Sequence, residues 1–154
     1  VVIGLLTPDG SVDKERTARL VELAYPLGVT FHRAFDRVQH PMEALEDVIA
    51  CGCERILTSG LKPTAVEGEE MIAELVARSA GRIEIMPGSG VRADNIGALA
   101  KRTNASAFHS SARINIESAM LYTNESMHES LDTVLLNIEE VKKMVQVLEE
   151  LGDG

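Results

Sequence analysis

The chain has 154 residues and a net charge of −9, with 15 Lys and Arg residues against 24 Asp and Glu residues. This acidic balance argues against a nucleic-acid-binding protein, which needs a clustered basic surface. The hydrophobic fraction of 45% is typical of a globular chain, and we expect residues 1–154 to form one domain. Every apolar run is far shorter than the ~20 residues of a membrane-spanning helix, so we expect no membrane partner.

Short apolar runs alternate with stretches of helical period along the chain. Five runs rich in β-branched residues predict strands at Val1–Leu6, Val29–Ala34, Arg55–Thr58, Arg82–Met86 and Ala105–His109. Each is followed by apolar residues spaced as on a helix face, most clearly from Leu131 to Leu148. The strands begin 23–28 residues apart, which is typical of βαβ units with parallel strands.

This order predicts an α/β fold built from five βα units. A (β/α)8 TIM barrel needs eight units and about 250 residues, so the chain is either a small open α/β sheet or the last five units of a barrel. The first residues lie inside an apolar run without an initiator Met, which favours the barrel. The stretch Arg113–Ser130 lacks an apolar period, so we expect a mobile loop that acts as a lid, if it acts at all.

Histidine and carboxylate residues lie near the predicted strand ends, where parallel α/β proteins bind ligands. His32 and Asp36 fall at the end of the second strand, and His109 ends the fifth. A histidine near a carboxylate can act as an acid or a base, so these three are candidate catalytic residues. Strand alternation directs His32 inward and Arg33 outward, so Arg33 ranks lower. The alternative is that both histidines are core residues satisfied by hydrogen bonds.

The segment Gly88–Gly90 is a candidate anion site. Its two glycines let the backbone approach a ligand, and exposed N–H groups can bind an anion. In the last five units of a barrel, this loop follows the seventh strand and Ser110 follows the eighth, where barrels often bind phosphate. The alternative is a tight turn that simply requires glycine. The predicted ligand-binding residues are Arg33, Thr58, Ser59, Gly60, Gly88, Ser89, Gly90, Asn95, Ser110 and Ser111.

Cys51 and Cys53 form a Cys-x-Cys sequence between a predicted helix and the third strand. Soft thiolates select Cu(I) or Zn²⁺, so the pair is a weak candidate metal site. The alternative is more favoured, because the pair lies at the end of the sheet opposite the strand ends and free cysteine often packs as a small buried hydrophobe.

Several segments in chain order carry a family resemblance: Gly4–Gly10, Val29–Asp36, Arg55–Gly60, Ile85–Val91 with Asn95, and His109–Ala112. With the specific run Thr-Phe-His-Arg-Ala-Phe-Asp at residues 30–36, they resemble the copper homeostasis protein CutC family. The resemblance implies a TIM barrel of about 250 residues, a cytoplasmic location, and a link to copper tolerance with proposed binding of Cu(I). Ser89 departs from the family, whose loop often has Gly there. Cysteines proposed as copper ligands in some members lie in early strands, outside this chain.

Two functions follow as hypotheses. The first is a copper homeostasis protein that binds or traffics Cu(I), with copper as cofactor or partner. Its soft or borderline donors are Cys51, Cys53, Met86, His32 and His109. The second is a barrel enzyme that acts on a small anionic or phosphorylated metabolite at the strand ends. Either protein can be a homo-oligomer.

Overall fold

A parallel sheet covered by helices on one face forms the centre of the molecule, a computed structural model that describes residues 1–152. The strands of the sheet, in spatial and chain order, are β1 (Val2–Ile3), β2 (Thr30–Phe31), β3 (Arg55–Thr58) and β4 (Glu84–Pro87). The helices are α1 (Lys14–Ala24), α2 (Pro41–Ala50), α3 (Glu69–Ser79), α4 (Ile96–Thr103) and α5 (Ile138–Gly152). A separate antiparallel hairpin joins β5 (Arg113–Ile116) to β6 (Thr133–Leu136), and short 3₁₀ turns span Arg33–Arg37 and Glu125–Met127.

Local signals in the sequence set the helix ends. The Asp13 side chain caps α1 by accepting a 3.0 Å hydrogen bond from the Arg16 N–H, which satisfies a donor that the helix leaves unpaired. Pro41 is the first residue of α2, where its missing N–H has no cost. Asn104 ends α4 in the left-handed conformation, as asparagine tolerates.

The two faces of the sheet differ in burial. Phe31 pairs with Ile56, which pairs with Ile85, and all three are buried in the apolar core. On the opposite face Arg55 pairs with Glu84 and forms an ion pair with it, and both side chains remain partly exposed. The first row therefore fixes the sheet against the helices, while the second lines the open face.

The fifth predicted strand is largely absent, which is a correction. Within Ala105–His109, only His109 pairs with the sheet, through a parallel bridge to Gly88 in which its N–H donates to the Pro87 carbonyl at 2.9 Å. A cavity of about 320 Å³ separates Ile83–Ile85 from Asn104–Ser106, so the segments meet only at the carboxyl end of β4. The sheet is open, and residues 1–152 contain no closed barrel.

The predicted loop Arg113–Ser130 and the predicted start of the last helix at Leu131 are both wrong in part. Arg113–Ile116 and Thr133–Leu136 pair as β5 and β6, and Glu125–Met127 forms a 3₁₀ turn. Asn137 accepts a 3.2 Å hydrogen bond from the Glu140 N–H, so it caps a helix that begins only at Ile138. The hairpin residues are exposed, including Ile114, Ile116, Val134, Leu135 and Leu136.

None of the helices within residues 1–152 combines the length and the apolar character that crossing a membrane requires.

Candidate functional site

The Asp36 carboxylate joins the 3₁₀ turn after β2 to the end of β3. It accepts hydrogen bonds from the Arg33 Nε at 2.7 Å, the Thr58 Oγ1 at 2.5 Å and the Ser59 N–H at 2.9 Å. Its side chain is only 8% exposed. Burial alone would raise the pKa of Asp36, but hydrogen bonds from Thr58, Arg33 and Ser59 outweigh it and hold the pKa below its ordinary value. Asp36 is thus an ionised, fully bonded group that positions its neighbours.

Arg33 turns toward the strand ends, so its predicted outward orientation is wrong. The prediction extended the strand alternation to residue 33, but β2 ends at Phe31 and Arg33 opens the 3₁₀ turn. Its Nη2 donates to the Ser59 Oγ at 2.7 Å while its Nε is bound to Asp36. The three-residue spacing of Arg33 and Asp36 suits a helical turn and was the available signal. The guanidinium is therefore held in place beside the strand ends.

Five of the predicted ligand-binding residues do not line a cavity at the strand ends: Thr58, Ser59, Gly60, Gly88 and Asn95. Thr58, Ser59 and Gly60 are buried. Asn95 accepts a 2.9 Å hydrogen bond from the Arg92 N–H and donates one of 2.9 Å to the Gly90 carbonyl. These residues hold the neighbouring backbone in place. A ligand would contact the residues that line the cavities.

The loop Gly88–Gly90 contains two consecutive residues with positive φ angles. A Cβ atom at Gly88 would lie 2.5 Å from the Leu57 Cδ1, so a larger residue there would require the Leu57 side chain to move. Ser89 and Gly90 have φ values of +80° and +74°, a region that glycine tolerates and serine does not favour. The Ser89 Oγ donates to the Pro63 carbonyl at 2.8 Å, and the Ser89 carbonyl accepts from the Ala65 N–H at 2.9 Å. These bonds hold the strained serine in place.

A cavity of about 210 Å³ opens between this loop and the segment after His109. Its lining comprises Arg33, Leu57, Ser89, Gly90, Val91, Arg92, His109, Ser110 and Ser111. Within residues 1–152, the N–H groups of Gly90, Ser110 and Ser111 have no protein acceptor, and Arg92 forms no ion pair. Sequence reasoning missed Arg92, although it lies only two residues after Gly90. The cavity thus presents donors and positive charge.

His32 and His109 line two different cavities. The His32 Nδ1 accepts a 3.0 Å hydrogen bond from the Ala34 N–H, so Nε2 carries the proton when the ring is neutral. His32 lines a cavity of about 500 Å³ with Arg33, Arg37, Leu57 and Lys62. His109 is exposed and lines the smaller cavity. The two cavities meet at Arg33 and Leu57, so the histidines flank one strand-end region.

The cysteine residues do not fit a copper site. Cys51 and Cys53 are 7% and 5% exposed and lie at the amino end of β3, away from the strand-end cavities. Burial raises the pKa of both thiols, that of Cys53 to about 11. Cu(I) binds the thiolate, which these values disfavour. In the described part of the chain, no group of three or more His, Cys, Asp or Glu residues is arranged to hold a metal ion.

An open parallel α/β sheet with a cationic site at its strand ends defines the class of protein. A model of the CutC family matches residues 1–114, and the chain belongs to this family. A family protein CutC from Parabacteroides distasonis is 54% identical over 127 residues, which cover 82% of this chain and 52% of the relative. One from Xylella fastidiosa strain 9a5c is 45% identical over 151 residues, covering 97% and 57%.

A solved structure has a similar fold. It is a Streptococcus agalactiae protein named for copper homeostasis, CutC, with 31% identity and a TM-score of 0.66 over 70% of this chain and 53% of that one. The family resemblance predicted from the sequence is therefore confirmed. The chain spans about half the length of the curated relatives it matches.

Proposed function

We propose that the strand-end site binds a small anionic metabolite, and that the chain supplies the last five units of a (β/α)8 barrel in which this site forms the mouth. The open parallel sheet and the relatives of about twice the length support the barrel. In such a barrel, the Gly88–Gly90 loop and the Ser110–Ser111 segment follow the seventh and eighth strands, a common location of phosphate sites.

The observation that carries the proposal is the set of donors around the smaller cavity. Arg33 and Arg92 bring fixed positive charge, and the N–H groups of Gly90, Ser110 and Ser111 have no acceptor within residues 1–152. Hydrogen bonds from such donors to an anionic oxygen are charge-assisted and therefore stronger than neutral ones. The lining contains no Asp or Glu, although the chain as a whole carries a net charge of −9.

His32 and His109 remain the proposed acid–base residues of an enzyme. They are the histidines that line the two cavities, and imidazole exchanges protons near neutral pH. Asp36 enters the proposal as a positioning residue, because its oxygens are already bound to Arg33, Thr58 and Ser59.

A role in copper homeostasis is the second candidate function, and the name of the Streptococcus agalactiae relative favours it. Cys51 and Cys53 are the thiol donors of this chain that such a role would use, but their burial and raised pKa values oppose binding of Cu(I). We extend the family's implied cytoplasmic location to this chain as a proposal.

The exposed apolar residues of the β5–β6 hairpin support the proposed homo-oligomer.

Calorimetric titration of the full-length protein tests both candidates. Inorganic phosphate should bind, and Arg92→Gln should weaken its binding about tenfold, because one charge-assisted contact is lost. An anaerobic Cu(I) titration against a competing chelator should give the same result for the parent and for Cys51→Ser with Cys53→Ser. Absence of phosphate binding would reject the anion site. Loss of tight Cu(I) binding in the cysteine variant would favour the copper role.

A further inference from the structure

The two strand-end cavities have lining residues in common, and both linings carry a net positive charge. Arg33 and Leu57 line both of them. The smaller cavity adds Arg92 and His109, and the larger one adds His32, Arg37 and Lys62. The one carboxylate in either lining is Asp36, whose oxygens are occupied by Arg33, Thr58 and Ser59.

We propose that the site takes a substrate with two anionic groups, one in each cavity, joined by a short carbon chain that lies against Leu57. The inference rests on the proposed anion-binding function and adds the class of substrate. The smaller cavity, with its unpaired N–H groups, suits a phosphate or phosphonate. The larger cavity suits a carboxylate, which Lys62 or Arg37 can bind.

Three further observations support two separate binding positions. Arg37, Lys62 and Arg92 form no ion pair within residues 1–152. The Arg92 Nη1 donates a 3.2 Å hydrogen bond to the Arg113 carbonyl, which leaves its charge uncompensated. Arg33 is fixed between the cavities by Asp36 and Ser59 and can face both anionic groups. Leu57 is half-buried on the open face of β3, and it offers apolar surface where a carbon chain would cross.

A matched pair of probes tests the inference by calorimetry on the full-length protein. 3-Phosphonopropionate carries both anionic groups, and propylphosphonate has a methyl group in place of the carboxylate. We expect 3-phosphonopropionate to bind about tenfold more tightly, as one additional charge-assisted contact predicts. Arg92→Gln should weaken both probes to a similar extent. Lys62→Gln should lower only the advantage of 3-phosphonopropionate.

Lys101→Gln is the charge-matched control for Lys62→Gln. Lys101 lies in the last turn of α4, and helices of βα units run back toward the amino ends of the strands, so it is distant from the cavities. Equal binding of the two probes would overturn the two-anion inference while the phosphate site stands. An equal loss in Lys101→Gln would also overturn it, because the effect would then reflect net charge. If neither probe nor inorganic phosphate binds, the proposed function fails as well.

Discussion

The Arg33 Nε donates a 2.7 Å hydrogen bond to the Asp36 Oδ2, and the same guanidinium reaches the Ser59 Oγ at 2.7 Å. The cation at the strand ends is therefore held on two sides before any ligand arrives. A preorganised cation loses less side-chain entropy on binding an anion than a free surface arginine does.

Replacement of Asp36 by Asn should destabilise the fold and weaken anion binding together. The neutral amide removes the buried charged acceptor of Arg33. Because the Arg33 guanidinium left behind is 43% exposed and stays solvated, we expect the free energy of unfolding to fall by about 2 kcal/mol. Urea denaturation and phosphate titration measure the two effects. Asp94→Asn, at an exposed aspartate near the loop, is the control and should change neither. Unchanged stability in Asp36→Asn would contradict the positioning role.

The stabilisation that Asp36 provides should also be lost at acid pH. Its pKa is lowered in the folded state, so this contribution is fully present above the unfolded value of about 3.9 and is lost as the pH falls through the folded value. The difference in unfolding free energy between the parent and Asp36→Asn should therefore be constant from pH 7 to 5 and shrink below about pH 4. A constant difference down to pH 2 would argue against this linkage.

The left-handed conformation of Ser89 predicts that its backbone lowers the stability of the fold while its side chain raises it. Ser89→Ala removes the hydrogen bond to the Pro63 carbonyl and keeps the strain, so it should cost about 1 kcal/mol. Ser89→Gly loses the same bond but relieves the positive φ, a gain of about 1 kcal/mol, so its net effect should be small. Urea denaturation separates the two variants. Ser106→Ala, at an exposed serine, is the control, and equal losses in Ala and Gly would exclude backbone strain.

Burial of Cys53 predicts a loss of stability at alkaline pH. Its folded-state pKa of about 11 lies above the ordinary value of about 8.5. The folded protein therefore retains the thiol proton longer, and the stabilisation present below about pH 8.5 is lost as the pH rises through the folded value. Denaturation of the parent should show a steeper decline from pH 8.5 to 11 than denaturation of Cys53→Ala, in which the Cys51 thiol keeps its raised pKa. A parallel decline in both proteins would assign it to other groups.

The sequence predicted the parallel sheet better than the hairpin and helix that follow it in the chain. The strand Arg55–Thr58 agrees with the structure, because its β-branched run is bounded by clear turn residues. The hairpin was missed because Leu131, Val134 and Leu135 fit helical spacing while the cap at Asn137 delays the helix to Ile138. Period alone does not separate a strand from a helix in so short an apolar run.

The site was predicted in part, for a related reason. Ser89, Gly90 and both histidines line the cavities as the strand-end argument expected. The direction of Arg33 was wrong because the alternation ends at Phe31 and a 3₁₀ turn follows. The burial of Thr58 and Ser59 depends on their contact with Asp36, 22 and 23 residues away in the chain, which local pattern does not reveal.

His32 should contribute to stability through a cap and to function through its ring. Its Nδ1 accepts the Ala34 N–H at the start of the 3₁₀ turn. Asn can place an oxygen at the position of Nδ1 and is a good capping residue. We therefore expect His32→Ala to lower the free energy of unfolding by about 1 kcal/mol, and His32→Asn to retain parental stability within about 0.5 kcal/mol. His109→Asn should also retain it, because this side chain is exposed.

In these histidine variants, binding of the probe should change even where the free energy of unfolding does not. Both His32→Asn and His109→Asn remove an imidazole that lines a strand-end cavity, so the affinity for 3-phosphonopropionate should fall in each. His40→Asn is the matched control, because His40 is exposed, makes no capping bond through its side chain and lines neither cavity. If the asparagine variants melt far below the parent and bind the probe with the parental affinity, the histidines are structural and their proposed role in the site is wrong.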